Sequence, residues 1–283
     1  MVDYKIIEST AKELSRIKNV DYYELLQRFM FERILERISV SKYNNNFIIK
    51  GGLLLSAMFG IDNRSTKDMD ATIKGLNIDK EEMINILNEI LCIDLQDGVN
   101  FDVIDITDIR EDDEYGGNKY YIVGRLQNLK VNLEIDISTG DKITPRELKY
   151  KYPLIFNNKS ILINTYNIET LVSEKIETIL RRGIYNSRMK DFYDIYLFIN
   201  KLVDDINYNN LRLAMKNTFE KRESLSYLED YKYILSDISK NERLLSLWNK
   251  YISKNKYALG IDFKDIVSSL EEFLDKHNVF VNN

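Results

Sequence analysis

The stretch KGGLLLSAMFGIDNRSTKDMDATI, residues 50–73, decides how this chain is read. A glycine pair, Gly51-Gly52, opens an apolar segment. Leu54, Ala57, Met58 and Ile61 recur there at helical spacing, so the pattern predicts a helix directly after the glycines. Arg64-Ser65-Thr66-Lys67 then supplies two cations and two hydroxyls before Asp68-Met69-Asp70. On a strand over 68–73, side chains two apart leave the same face, and Asp68 and Asp70 project together. Carboxylates roughly 5 Å apart repel by about 3 kcal/mol at an effective dielectric of about 20. A divalent cation relieves that repulsion, and hard oxygen ligands suit Mg2+. Glycines let a phosphate approach backbone N–H groups at a helix start. Gly51, Gly52, Arg64, Thr66 and Lys67 are therefore candidate nucleotide-binding residues, and Asp68 and Asp70 candidate metal ligands with a catalytic role. Each piece alone also has a plain structural reading: a tight turn for the glycines, an exposed strand for the acids.

Outward from this stretch, residues 5–40 read as helices, with Leu25, Phe29, Ile34, Leu35 and Ile38 near helical spacing. Phe47-Ile48-Ile49 is a short buried strand, and Lys80 to Leu91 another helix. Phe101 to Ile106 and Lys119 to Leu126 alternate in strand fashion around an acidic turn at 111–117. Val131 to Ile137 alternates strictly, placing Val131, Leu133, Ile135 and Ile137 on one face and Asn132, Glu134 and Asp136 on the other. Asp136 is the candidate third carboxylate of a two-metal centre, or simply a half-exposed strand residue. Asp102 and Asp105 compete, but three apart they cannot share a face of a regular strand.

The texture changes near Phe156, and from Ile168 onward nearly everything has helical period. The expected fold is α+β and bilobed. A mixed sheet with helices occupies residues 1–156, and an all-helical domain residues 157–283. In the second half Ile168, Leu171, Val172, Ile176, Ile179 and Leu180 form an apolar stripe, and Lys175 sits within it at i+7. A lysine on a buried face is costly unless it reaches a partner or ligand; a snorkelling side chain is the alternative. The functional reading is a cation reaching a nucleotide phosphate in a cleft between the halves. Asp191 and Asp194, at i and i+3, share a helix side and could position Lys175 by charge pairing, or serve only as dipole partners. Arg181, Arg182, Arg188 and Lys190 make a local positive surface able to steer an RNA backbone.

Composition sharpens the exclusions. The chain has 283 residues, 44% hydrophobic and 30% charged, with net charge −5, so it is globular and no generic nucleic-acid coat. One histidine, His277, and one cysteine, Cys92, rule out a Cys/His zinc site within one chain and argue against His-based nucleophile systems. The single cysteine also forms no internal disulfide. The N-terminus MVDYKIIESTAKELSRIK has no signal-peptide core, and no apolar run approaches the roughly 20 residues of a membrane span. A cytoplasmic protein without a membrane partner is expected.

The string GGLLLSAMFGIDNRSTKDMD resembles the first motif of the DNA polymerase β-like nucleotidyltransferases, and more narrowly the AbiE-type abortive-infection toxins (AbiEii/AbiGii), with their Gly-Gly/Ser and Arg-x-Thr/Ser-x-Asp-x-Asp pattern. IREDDEYGGNKYYI with LKVNLEIDISTGDKITP is similar to that family's central sheet. ETLVSEKIETILRRGIYNSRMKDFYDIYLF is similar to its Lys helix and its Arg/Lys-Asp-x-x-Asp helix. The likeness spans residues 45–275 in three ordered blocks.

The resemblance implies a nucleotidyltransferase lobe followed by a helical one. It implies Mg2+ at Asp68 and Asp70 with Asp136 as a further ligand, and phosphate contacts at Gly52, Arg64 and Lys175. It implies a catalytic or positioning role for Asp191, with Lys190 and Asp194 beside it in nucleotide binding. Two positions depart from the pattern: Gly52 where Ser is frequent, and Lys190 where Arg is common, which weakens any bidentate role. The implied activity is Mg2+-dependent transfer of NMP from an NTP, with GTP or CTP expected, to an RNA 3′ end such as tRNA. It would act as a type IV toxin in phage defence, with an antitoxin encoded nearby that need not touch it. The rival readings are modification of a protein or small molecule on the same fold, and a non-catalytic nucleotide-binding module.

Overall fold

A computed structural model describes residues 3–76, 79–109 and 117–277. Most of the acidic turn expected at 111–117 lies outside the described residues. The chain forms two compact units, each discontinuous. The first comprises residues 1–141 and 148–165, the second residues 142–147 and 166–283.

The first unit is built on a seven-stranded mixed sheet in the order β3-β4-β5-β2-β1-β7-β6. Its strands are β1 (Phe47–Lys50), β2 (Asp68–Ile73), β3 (Val99–Asp108), β4 (Gly117–Leu126), β5 (Leu129–Thr139), β6 (Leu148–Leu154) and β7 (Lys159–Thr165). The pairs β1/β7 and β2/β5 are parallel and the rest antiparallel. The sheet therefore runs to Thr165, past the change in texture near Phe156. Neither β6 nor β7 is legible in the sequence, because Leu148 and Leu162 point to solvent while Tyr152 and Ile163 are buried, which blurs the alternation.

The apolar face of β5 (Val131, Leu133, Ile135, Ile137) and of β2 (Met69, Ala71, Ile73) is buried. Helix α2 (Tyr22–Val40) covers it, its Gln27 amide donating to the Asn132 carbonyl at 3.0 Å. Gly124 of β4 leaves room for this helix, since a Cβ there would lie 2.9 Å from Met30 Sδ. Asp68, Asp70 and Asp136 fall on the opposite face, as the alternation requires.

Helix α2 is buried nearly all round, including Arg28, Glu32, Arg33 and Arg37. These charges are paired. Glu32 accepts from Arg28 Nε at 3.1 Å and from the Ile155 N–H at 3.0 Å. Arg37, 1% exposed, grips both oxygens of Asp97 at 3.0 Å and donates to the Val99 carbonyl at 2.8 Å. Its guanidinium also lies over the Phe101 ring, so it fastens the end of α2 to the start of β3.

The second unit is helical: α5 (Ile168–Arg182), α6 (Met189–Lys201), α7 (Tyr208–Lys221), α8 (Leu225–Glu229), α9 (Tyr231–Lys240), α10 (Glu242–Lys254) and α11 (Phe263–Lys276). In the first unit α1 (Tyr4–Lys18), α3 (Gly51–Phe59) and α4 (Lys80–Leu91) complete the set. Asn167 caps α5 by accepting from the Thr170 N–H at 2.7 Å, and its amide donates to the Thr144 and Arg146 carbonyls. Those bonds bind residues 142–147 to the helical unit. None of the described helices is long and apolar enough to cross a membrane.

Breaking a buried ion pair leaves an uncompensated charge. Arg37→Met should therefore destabilise the protein by about 3–5 kcal/mol, read as a shift of the urea unfolding midpoint. Arg37→Met combined with Asp97→Asn should recover much of that loss.

Candidate active site

Helix α3 begins at the glycines because nothing larger fits. Gly51 has φ +63°, and a Cβ there would lie 1.8 Å from Asp70 Oδ2. A Cβ on Gly52 would lie 2.5 Å from Thr66 Oγ1. The Gly52 N–H donates to Asp70 Oδ2 at 3.2 Å, so the helix start and β2 meet through backbone and carboxylate. The helix is buried along Leu53, Leu54 and Leu55 rather than on a narrow stripe, and it ends at Phe59, leaving Ile61 outside. Thr66 donates its hydroxyl to Asp68 Oδ1.

The register of the sheet fixes the third acid. Asp70 of β2 stands beside Asp136 of the parallel strand β5, while Asp68 stands beside Glu134. Asp136 is pushed up to about 6, first by burial and then by the negative charge of Asp70, with Asp68 adding and Lys119 opposing. Lys119, one strand further, lies 3.0 Å from Glu134 Oε2 and 3.2 Å from Asp136 Oδ1. On the other side Lys50 donates to Asp141 Oδ2 at 2.6 Å and to Ser138 Oγ at 2.8 Å. Gly51, Gly52, Thr66, Asp68, Asp70 and Asp136 are thus brought together. Arg64 is 5% exposed and turns its guanidinium onto the Ser65 carbonyl. Lys67 is well exposed and pairs with Glu24 of α2 at 3.1 Å.

The donor set suits a hard divalent cation. It is all oxygen, and the charge of Asp70, which adds to burial in raising Asp136, is a repulsion that a cation would relieve. Among the described residues no three His, Cys, Asp or Glu side chains form a closed metal-holding group. Asp68 and Asp70, on one face of β2, could hold such a cation. Asp102 and Asp105 lie on the edge strand β3, separated from β2 by β4 and β5, and a register shift between Val103 and Asp105 sets them opposite Val123 and Tyr121, positions of one face. The rule that residues three apart diverge fails at that bulge.

In the helical unit, Lys175 does not snorkel. Its ammonium lies 2.8 Å from Asp191 Oδ1 and 2.7 Å from Asp194 Oδ2, both carboxylates buried. Arg188 Nε donates to Asp191 Oδ2 at 2.9 Å. Burial would lower the lysine, but Asp191 and Asp194 outweigh it and hold the ammonium protonated above its ordinary range. Burial likewise opposes Asp191, yet Lys175, Arg188 and Lys190 hold its carboxyl well below the usual carboxylate range. Sequence reasoning places Lys175, Lys190, Asp191 and Asp194 together but overlooks how Arg188 completes the group. It also overlooks Lys119 and Lys50, whose only signal is their place in the strand alternation.

Two consequences can be measured. Lys175→Met leaves two buried carboxylates without their main counter-charge and should cost about 3–5 kcal/mol in urea unfolding. Asp136 bears on pH dependence. Its folded carboxyl at about 6 lies above the unfolded value near 3.9, so the folded state keeps a proton that the unfolded chain has lost. Its contribution in chelator is thus greatest below pH 4 and falls, by up to about 3 kcal/mol, as pH rises through 6. Asp136→Asn should flatten that part of the stability profile.

Comparison with known proteins bears on the fold and the family. The chain is similar to the crystal structure of a proposed nucleotidyltransferase from H. pylori, at 16% identity and TM-score 0.50, covering 91% of this chain and 98% of that one. It is also similar to JHP933 from Helicobacter pylori, at 15% identity and TM-score 0.49, covering 92% and 96%. At 16% identity the first of these speaks for the fold alone. No curated protein matches. The family model described as nucleotidyl transferase AbiEii toxin, type IV TA system, matches residues 33–275. Acids on β2, a glycine helix start and a paired lysine helix thus lie within the matched span, and the chain belongs to the AbiEii nucleotidyl transferase toxin family of type IV toxin–antitoxin systems.

Proposed function

We propose that this chain transfers a nucleoside monophosphate from an NTP, GTP or CTP, to the 3′ hydroxyl of an RNA, with tRNA as the acceptor class and Mg2+ as the metal. Growth arrest during phage infection would be the outcome, countered by the antitoxin that a type IV system implies. The observation that carries this reading is the level of the sheet where Asp70 and Asp136 stand side by side beneath the glycine start of α3.

Asp68 and Asp70 would hold the ion, which supplies charge neutralisation on the phosphates. The Gly51-Gly52 turn seats the start of α3 against Asp70 and Thr66, which would set a phosphate bound at the acids beside that helix start. Asp136, beside Asp70 and raised by burial, is the candidate general base for the attacking hydroxyl. Asp191, held far lower, suits that task poorly; its part is to fix Lys175. Asp191 and Asp194 hold the Lys175 ammonium protonated, the state in which it would serve as a cation for a triphosphate oxygen. Arg64 is turned onto the backbone at Ser65, so its contribution is to shape the loop before Asp68.

The test is incubation of purified protein with α-labelled NTPs, Mg2+ and total RNA, and separately with protein extract. Label is expected in RNA. Label in protein alone would transfer the reading to protein modification, and label in neither pool despite nucleotide binding would reduce the chain to a binding module. Asp70→Ala should lower transfer about a hundredfold or more while keeping its unfolding midpoint. Full activity in that variant would remove Asp70 from the site.

A further inference from the structure

One level of the sheet carries four charged residues in a row on the same face. Lys119 of β4 stands opposite Asp136 of β5, Asp136 beside Asp70 of β2, and Asp70 opposite Lys50 of β1. The two lysines at the ends of this row are built differently. Lys50 is 12% exposed and bonds to Asp141, whose side chain is fully buried, and to Ser138. That is a fixed structural pair. Lys119 is 27% exposed and divides its ammonium between Asp136 and the half-exposed Glu134, two residues apart on one strand. A flexible four-carbon stem lets such a group move from sharing to a single partner with little displacement.

We propose that Lys119 is a positioning residue that serves as an internal counter-ion. In the metal-free protein it neutralises Asp136, and it withdraws to Glu134 when a divalent cation approaches the acids. Its charge would then set how tightly that cation is held, keeping the ion exchangeable. The inference rests on the metal reading of Asp68 and Asp70 given above. The direction of the Asp136 shift agrees with it: Lys119 opposes a rise driven by burial and by Asp70.

Mn2+ is the probe, titrated into the apo-protein at pH 8.5 and followed by calorimetry and by the loss of its free electron-spin signal. Lys119→Met keeps the stem and removes the charge, and should tighten Mn2+ binding about tenfold, since a unit cation near the ion is lost. Lys119→Arg should bind like the parent. Glu134→Gln removes the retreat position and should weaken binding. In an Asp136→Asn background the gain from Lys119→Met should shrink. A structural lysine would change the unfolding midpoint without these opposite shifts in affinity. Equal or weaker binding in Lys119→Met, with binding still lost in Asp70→Ala, overturns the role of Lys119 alone. Binding that persists unchanged in Asp70→Ala, or is absent in the parent, overturns the metal reading and this inference with it.

Discussion

The constraint on which the site depends is electrostatic: two carboxylates, Asp70 and Asp136, forced to the same level of adjacent strands by the register of a parallel pair. A fold without a use for them would separate such groups. Here the backbone is arranged to bring them closer to a helix start, with glycine at both positions where a side chain would collide with Asp70 or Thr66. The strain is contained locally. Lys119 sits against one end of the row, the Gly52 N–H bonds to Asp70, and the hydroxyl of Thr66 to Asp68. Burial, together with the remaining repulsion from Asp70, gives Asp136 its near-neutral proton affinity.

The second unit treats charge in the opposite way. Lys175 and Arg188 face Asp191 and Asp194, so cations and anions balance within the group. One cluster is left electrostatically unsettled and the other is closed. That contrast separates a place able to receive a cation from a place built to hold a lysine still.

Much of this was legible in the sequence, and for definite reasons. The strict alternation of 131–137 placed Asp136 on the polar face, and the spacing of 68–70 put both acids on one side. The apolar stripe of α5 singled out Lys175 by interruption. What escaped depends on contacts that no local pattern encodes. Whether Arg64 faces a phosphate or the Ser65 carbonyl is decided by packing. A bulge within β3 changes which acids share a face, and nothing in its alternation marks it. Strands β6 and β7 mix buried and exposed apolar residues, so their period is obscured. Lys119 becomes meaningful only when β4 is laid beside β5.

The chain passes between its units three times, after Asp141, after Glu147 and after Thr165, because residues 142–147 belong with the helices while β6 and β7 return to the sheet. Neither lobe is therefore a continuous piece of polypeptide. A single protease nick at any one crossing leaves two covalent tethers in place. Expressing either half as one uninterrupted fragment strips the helical lobe of the Thr144 contacts at its leading cap, or robs the sheet of two strands.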